Sequence, residues 1–391
     1  MIPKGFLFSA VEAAIKKPGR KDLALIYSQT EANMAGAFTT NRVKAAPVLV
    51  DMRKIRAGRG QAIIINSGNA NACTGKTGLR DAADMTELAA RGLNLKSSRV
   101  YVSSTGVIGN PMPMDRIRFR INDLTAGLGK CSIHDVAAAI MTTDTFPKVI
   151  AKTVKINGET GVVAGICKGA GMICPRMATM LCFLMTDIAV DRQTLGTALR
   201  DAVRRSFNRI TVDGDMSTND TVLVMANGML ENPLISEKSR SNMIFRSALS
   251  DVTFELSKLV VRDGEGATKL IEIEVRGARS ESEAEKAAFS VANSNLVKTA
   301  MHGGDANWGR IMAALGYSGI SFSEEKVDIS FGKTKVARKG LSNNMDKEAG
   351  KVLRGKEVRI IIDLHAGKSS ARVLTCDLTE EYIRVNAAYR T

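Results

Sequence analysis

Residues Lys168–Thr186 read KGAGMICPRMATMLCFLMT. Gly169, Gly171 and Pro175 make a bent approach that cannot continue a helix, and Met180–Met185 form an apolar run of strand character. Between the two stands Ala178-Thr179. A lone threonine in such a place is ordinarily a strand residue, because its β-branched side chain suits a pleated surface. Here it follows a small residue at the end of a strained bend and precedes a rigid element, the arrangement that self-cleavage at a hydroxyl residue requires. An alkyl hydroxyl is a weak nucleophile at neutral pH and needs a base. A cut before Thr179 would create an α-amine, with an ordinary pKa of about 7.7–8.0, beside its own Oγ. One residue would then supply both nucleophile and base.

Outward from this stretch, strand and helix patterns alternate without a clean βαβ rhythm. Gln61–Asn66 is a short apolar run that ends in a Gly/Asn loop, as a buried strand does. Asp81–Leu93, Ile133–Met141 and Asp191–Phe207 carry helical periodicity, the last with Leu195, Leu199 and Val203 on one stripe. Val154–Ile156 and Val162–Ile166, separated by Asn157-Gly158, predict a β-hairpin. Leu270–Val275 alternates apolar and charged residues as a half-buried strand, Ala284–Ala300 reads as one helix, and Val358–Asp363 as a buried strand. The fold class is α/β, with helices layered on mixed sheets. No repeat or linker divides the chain; its one boundary signal is chemical and falls at Thr179.

The 391 residues are 45% hydrophobic and 24% charged, the composition of a packed globular protein. No apolar run is long enough to span a membrane, and MIPKGFLFSA lacks the features of a secretory signal, so the cytoplasm is the expected compartment and no membrane partner is expected. The six cysteines include no C-x-x-C pair and the three histidines are scattered, which disfavours a zinc site, disulfides and a Cys–His nucleophile. A net charge of +15 invites a nucleic-acid reading, but the basic clusters Arg53–Arg59, Arg116–Arg120 and Lys333–Lys339 are short, separated and free of interleaved aromatics. They read as solvated surface that favours anionic small molecules.

KGAGMICPRMATML resembles the self-cleavage motif of the ornithine acetyltransferase / glutamate N-acetyltransferase family of arginine biosynthesis. The resemblance runs through PKGF, FTTNRVKAAPV (Phe38–Val48), NSGNANACTG (Asn66–Gly75), SSTGVIG (Ser103–Gly109) and TTDTFPK (Thr142–Lys148). It continues through FNRITVDGDMSTNDT (Phe207–Thr221), DGEGATK (Asp263–Lys269), HGGDANWGRI (His302–Ile311) and the terminal VNAAYRT. It implies the layered α/β architecture of that family, self-cleaved between Ala178 and Thr179 into residues 1–178 and 179–391. It also implies that the two pieces stay associated and pair into a heterotetramer.

By the same resemblance Thr179 is the nucleophile of a ping-pong transfer from N2-acetyl-L-ornithine to L-glutamate. Thr105 and Gly106 are the oxyanion hole, and Thr142, Lys168, Thr179, Glu265, Asn386 and Thr391 bind substrate, with Thr143 one residue of slippage from Thr142. Lys168 suits an α-carboxylate and Glu265 an ammonium group. No metal or organic cofactor is implied, and acetyl-CoA is a substrate of the bifunctional members. Arg176 and Cys174 depart from the usual motif, where Asn or Ser and a smaller residue stand; neither touches the Ala178–Thr179 bond.

Three other readings compete. ANACTGKT (Ala70–Thr77) is one residue from a phosphate-binding loop, and Ile360–Asp363 resembles the acid-ended strand that would accompany it, but Ala70 replaces the first glycine. Asp213-x-Asp215-x-Ser217-x-Asn219 begins like a calcium loop, yet Thr218 and Val224 stand where glycine and glutamate are required. A self-processing aminopeptidase or amidase would use the same threonine with water as acceptor.

Overall fold

The computed structural model describes residues 1–174 and 180–388. Ala178, Thr179 and Thr391, singled out above, lie outside these residues. The described part has two sheets. The larger contains β1 (Phe6–Val11), β2 (Leu23–Phe38), β3 (Arg59–Asn69), β4 (Val100–Val107), β5 (Lys148–Ile156), β6 (Glu159–Lys168), β7 (Leu181–Thr186) and β8 (Thr221–Ala226). Its order is β4-β3-β2-β8-β7-β6-β5, with β1 also paired to β2. The long β2 bridges the two halves: its first part pairs with β3 and its last with β8, after a register shift between Tyr27 and Ala32.

The middle strands explain the uninterrupted apolar runs. β7 and β8 are buried at every position because both faces are covered. Cys182 and Leu184 pack with Leu199 and Leu256 of the Arg192–Arg205 and Asn242–Arg262 helices on one side. Leu181, Phe183 and Met185 pack with Val136 of the Ile133–Ala139 helix on the other. Strands clad on both sides lose the period-2 alternation that half-buried strands keep.

The second sheet contains β9 (Leu270–Ala278), β10 (Asp328–Phe331), β11 (Thr334–Arg338), β12 (Leu341–Ser342), β13 (Glu357–Asp363) and β14 (Ser369–Cys376), in the order β12-β11-β10-β13-β9-β14. Here β9 does alternate: Ile271, Ile273 and Val275 enter a core of their own, while Glu274 pairs with Arg276 and Arg359 at the surface.

The predicted hairpin is present, with Asn157 (φ 49°) and Gly158 (φ 92°) both left-handed at its turn, the backbone that Asn-Gly favours. The single helix expected over Ala284–Ala300 is two, Glu281–Ala292 and Asn295–Gly303. Ser294 breaks it: its Oγ accepts a hydrogen bond from the Val297 N–H (3.3 Å), and that capping stabilises a new helix start over continuation. β7 and β8 follow residue 179 in sequence but sit inside the sheet built by earlier strands, with Leu181 paired to Lys168. A cut before residue 179 would leave both pieces within one sheet.

Candidate active site

The ends of β4 and β6, the segment before β8, the turn after Glu265 and the last helix, Glu380–Ala388, enclose a cavity of about 230 Å³. Its wall contains Thr105, Gly106, Thr142, Thr143, Lys168, Glu265 and Asn386, so six positions chosen from sequence, and the adjoining Thr143, come together in one place.

Lys168 is the hub. It is 3% exposed, and its Nζ donates to Thr142 Oγ1 (2.8 Å) and Thr105 Oγ1 (3.3 Å). An ammonium only donates, so both hydroxyls must accept from it and each keeps its own proton for another partner. Burial pulls the Lys168 pKa below the usual lysine value, against the attraction of Asp144. An anion reaching this ammonium would relieve that cost.

Gly106 has φ +133°, and a Cβ there would stand 2.3 Å from the Gly68 carbonyl carbon on the paired strand β3. Only glycine fits this conformation and this backbone approach together. Asn219 then ties the loops around it: its Nδ2 donates to the carbonyls of Ala70 (2.7 Å) and Ser104 (2.8 Å). Gly171 is equally local in cause, since a Cβ would meet Glu265 Oε2 at 2.3 Å. Glu265 in turn accepts from Asn386 Nδ2 (2.8 Å), which tethers the last helix to the wall.

Four acids whose motifs were legible, but whose roles were not, build the frame. Asp144 accepts from the Thr142 N–H (3.0 Å), the Gly169 N–H (2.7 Å) and Lys148 Nζ (2.7 Å). Burial pushes its carboxyl up, but Lys168 and Lys148 outweigh this and hold it at about 2. Asp263 takes Lys148 from the other side and also binds Thr145. Asp213 receives the N–H groups of Met172 (2.6 Å) and Ile173 (2.9 Å) and the Tyr382 hydroxyl (3.3 Å). Asp220 receives the Met180 N–H (3.0 Å). The Thr211–Asp220 segment therefore grips the chain on both sides of residues 175–179. The signal was available: these acids cluster in three short motifs of a chain with a strong cationic excess.

The competing readings fare differently. ANACTGKT does follow β3 and run into the first turn of the Gly75–Gly92 helix, but the Ala70 carbonyl is committed to Asn219, and Asp363 belongs to the other sheet. The carboxylate of Asp213 is bound to backbone N–H groups, and no cluster of metal-binding side chains occurs among the described residues. No helix among them is long and apolar enough to cross a membrane.

Fold and cavity together define a mixed α/β protein with a polar pocket built around a buried lysine and a loop that clamps residues 172–173 and 180. Residues 7–391 match the ArgJ family model, and the chain belongs to the ArgJ family. The arginine biosynthesis bifunctional protein ArgJ of Geobacter sulfurreducens is 54% identical over 390 residues, 99% of each chain. The protein of the same name from Caldanaerobacter subterraneus subsp. tengcongensis is 49% identical over 395 residues, covering 100% of this chain and 98% of its own. The crystal structure of arginine biosynthesis bifunctional protein ArgJ from Bacillus halodurans is similar with a TM-score of 0.52 and 43% identity, over 53% of this chain and 98% of that one.

Proposed function

We propose that this chain is an arginine-biosynthesis acetyltransferase that takes the acetyl group of N2-acetyl-L-ornithine onto Thr179 and passes it to L-glutamate. The observation that carries the proposal is the cavity itself. It gathers a buried ammonium, two hydroxyls with protons to donate, and a carboxylate, beside the two anchored ends of the segment that contains Thr179.

Thr179 Oγ attacks the acetyl carbon, and its proton passes to the α-amine of the same residue. The Thr105 hydroxyl and the Gly106 N–H meet the negative charge on the acyl oxygen. The carbon–nitrogen bond breaks and ornithine leaves with the proton on its amine; the α-amine of glutamate then attacks the acetyl ester, the bond to Thr179 Oγ breaks, and the proton lost by that amine passes through the Thr179 α-amine back to Oγ. Lys168, with Thr142, takes a substrate carboxylate; Glu265, with Asn386, takes an ammonium; Thr391 adds a polar contact. The scheme uses no metal or organic cofactor, and acetyl-CoA serves as a second donor.

The nucleophile is freed by a cut at Ala178–Thr179, which gives pieces of residues 1–178 and 179–391 that pair into a heterotetramer in the cytoplasm. The solved Bacillus halodurans chain supports this division, because 98% of it aligns with only 53% of this one, close to the share that residues 179–391 represent. Incubation with N-acetylornithine and glutamate is expected to yield N-acetylglutamate and ornithine in equal amounts, and acetyl-CoA with glutamate to release free coenzyme. Release of acetate with no dependence on glutamate would instead make the protein a hydrolase.

A further inference from the structure

Lys16 stands in the loop between β1 and β2, off the cavity wall, and the scheme above makes no use of it. The loop is held from one point. The buried Asp22 carboxylate accepts the N–H groups of Ala13 (2.6 Å), Ile15 (2.6 Å) and Lys16 (2.8 Å), which sets the direction in which the Lys16 side chain leaves the backbone. That side chain reaches the end of the Ile133–Ala139 helix, where its Nζ donates to the carbonyls of Ala139 (2.9 Å) and Met141 (2.5 Å). The last carbonyls of a helix have no partner within it, and a lysine ammonium both satisfies them and suits the negative end of the helix dipole. Ser67 Oγ donates to the same Ala139 carbonyl (2.5 Å).

Holding an ammonium there is costly. Burial pulls the Lys16 pKa down to about 8 against the attraction of Asp22, and Lys168 adds repulsion. Costs of this kind gather at functional sites, and two contacts say what this one serves. Thr142 follows Met141 directly. Its N–H is held by Asp144 (3.0 Å) and its hydroxyl accepts from Lys168 Nζ (2.8 Å), so the anchored Met141 carbonyl fixes the step of chain that brings Thr142 to Lys168. The second contact is made by the lysine stem. A Cβ on Gly68 would stand 2.9 Å from Lys16 Cγ, so the stem lies against Gly68. Gly68 in turn pairs with Gly106, which approaches it so closely that a Cβ there would stand 2.3 Å from the Gly68 carbonyl carbon. The stem therefore backs the stretch of β3 on which Gly106 rests.

We propose that Lys16 is a positioning residue for both ends of the substrate site: its ammonium sets Thr142 beside Lys168, where a substrate carboxylate docks, and its stem holds Gly68 against Gly106, where the acyl oxygen is met. The inference rests on the reading of the cavity as the substrate site. The two tasks belong to different parts of one side chain. The ammonium acts through the Ala139 and Met141 carbonyls on binding, which substrate and transition state share. The stem acts through Gly68 on the Gly106 N–H, whose bond to the acyl oxygen strengthens as negative charge develops there. A loop that precedes the second strand of the sheet thereby governs the geometry of a cavity it does not line.

The test compares Lys16→Met and Lys16→Ala with wild type in acetyl transfer from N-acetylornithine to glutamate, with rates taken per active site. Sites are counted by the single equivalent of ornithine released when glutamate is left out. Methionine keeps an apolar stem over Gly68 but has no donor for the two carbonyls. KM for N-acetylornithine is therefore expected to rise about tenfold with kcat within about threefold of wild type, the pattern of lost uniform binding. Alanine removes the stem as well, and kcat is expected to fall by about tenfold or more in addition, since a misplacement of about 1 Å can cost about 100-fold. A lysine that only held the fold would lower the urea midpoint and the number of active sites in both variants and leave KM and kcat per site unmoved. Unmoved constants, or equal falls of kcat in the two variants, would overturn the proposal. Should Lys16→Met not fold, Ser67→Ala decides, because it takes away the other donor to the Ala139 carbonyl. Its KM is expected to rise about threefold, and an unchanged KM would overturn the proposal. A wild type that transfers no acetyl group would instead remove the reading of the cavity beneath it.

Discussion

The β5–β6 hairpin buries one lysine at each side of its open end, and the two live in different electrostatic regions. Lys148 opens β5 and lies between two carboxylates, Asp144 and Asp263. Burial pulls its pKa down, but these two acids prevail and raise it. Lys168 closes β6, meets only hydroxyl oxygens at hydrogen-bond distance among the described residues, and has its pKa lowered. The first region is closed electrostatics, every charge answered by the protein. The second is left short of a counter-charge and opens on the cavity. The difference separates a lysine that holds the fold from one held ready for a ligand.

Replacing each lysine by methionine breaks the comparison most sharply. Lys148→Met strands Asp144 and Asp263 in the interior, and removing one partner of a buried ion pair costs about 3–5 kcal/mol; a urea titration is expected to show that loss. Lys168→Met is expected to cost less stability than Lys148→Met, because the cation it deletes has no carboxylate at hydrogen-bond distance among the described residues, although Asp144 loses part of the attraction that keeps it ionised. Acetyl transfer is expected to fall by about 100-fold or more, on the scale of a buried charge contact to a ligand. Equal losses of stability in the two variants would erase the distinction.

Gly106→Ala addresses the same wall of the cavity. Its Cβ cannot clear the Gly68 backbone, so the end of β4 must move, and turnover is expected to drop about 100-fold, the scale of one lost oxyanion donor. A normal kcat would place the acyl oxygen elsewhere.

The pH dependence of stability sharpens the contrast, with opposite signs for the two lysines. Lys148, raised in the folded state, contributes stability that is full below the ordinary lysine pKa of about 10.4 and is lost as pH rises through its folded value. Lys168, lowered in the folded state, imposes a penalty at neutral pH that is relieved as pH climbs from its folded value toward about 10.4. Lys16 and Lys54, each lowered chiefly by burial to about 8, share the second behaviour, so the contribution of each hairpin lysine is read by difference from its methionine variant. On the acid side Asp144, held at about 2, contributes stability present above its unfolded pKa of about 3.9 and lost as pH falls toward 2. Denaturant titrations from pH 5 to pH 2.5 are expected to show this loss.

The smallest effect is expected at Gly171→Ala. The new methyl would collide with the carboxylate end of Glu265, a side chain able to swing aside, so KM is expected to rise by about tenfold with kcat near wild type.

Much of this was legible in the sequence, for identifiable reasons. β9 announces itself because one face is wet, and the hairpin turn because Asn-Gly tolerates left-handed backbone at both positions. The cavity residues were legible only through the family motifs, since composition gives a single Lys168 or Glu265 no distinction from surface charge. The Asp144–Lys148–Asp263 cluster was not legible: Lys148 and Asp263 are 115 residues apart and meet only after β5 and the Asn242–Arg262 helix have packed. Asp220 was hidden for a similar reason, because its meaning depends on which backbone N–H it faces. The split at Ser294 was missed because a serine cap interrupts a hydrophobic stripe that continues beyond it.

The central claim, that Thr179 is freed by cleavage and carries the acyl group, is tested most directly by intact-mass analysis of the purified protein beside Thr179→Ala. The expected result is two wild-type fragments that meet at Ala178–Thr179 and one undivided chain in the variant. A wild type that remains whole after prolonged incubation, or a variant cut at the same bond, would contradict it.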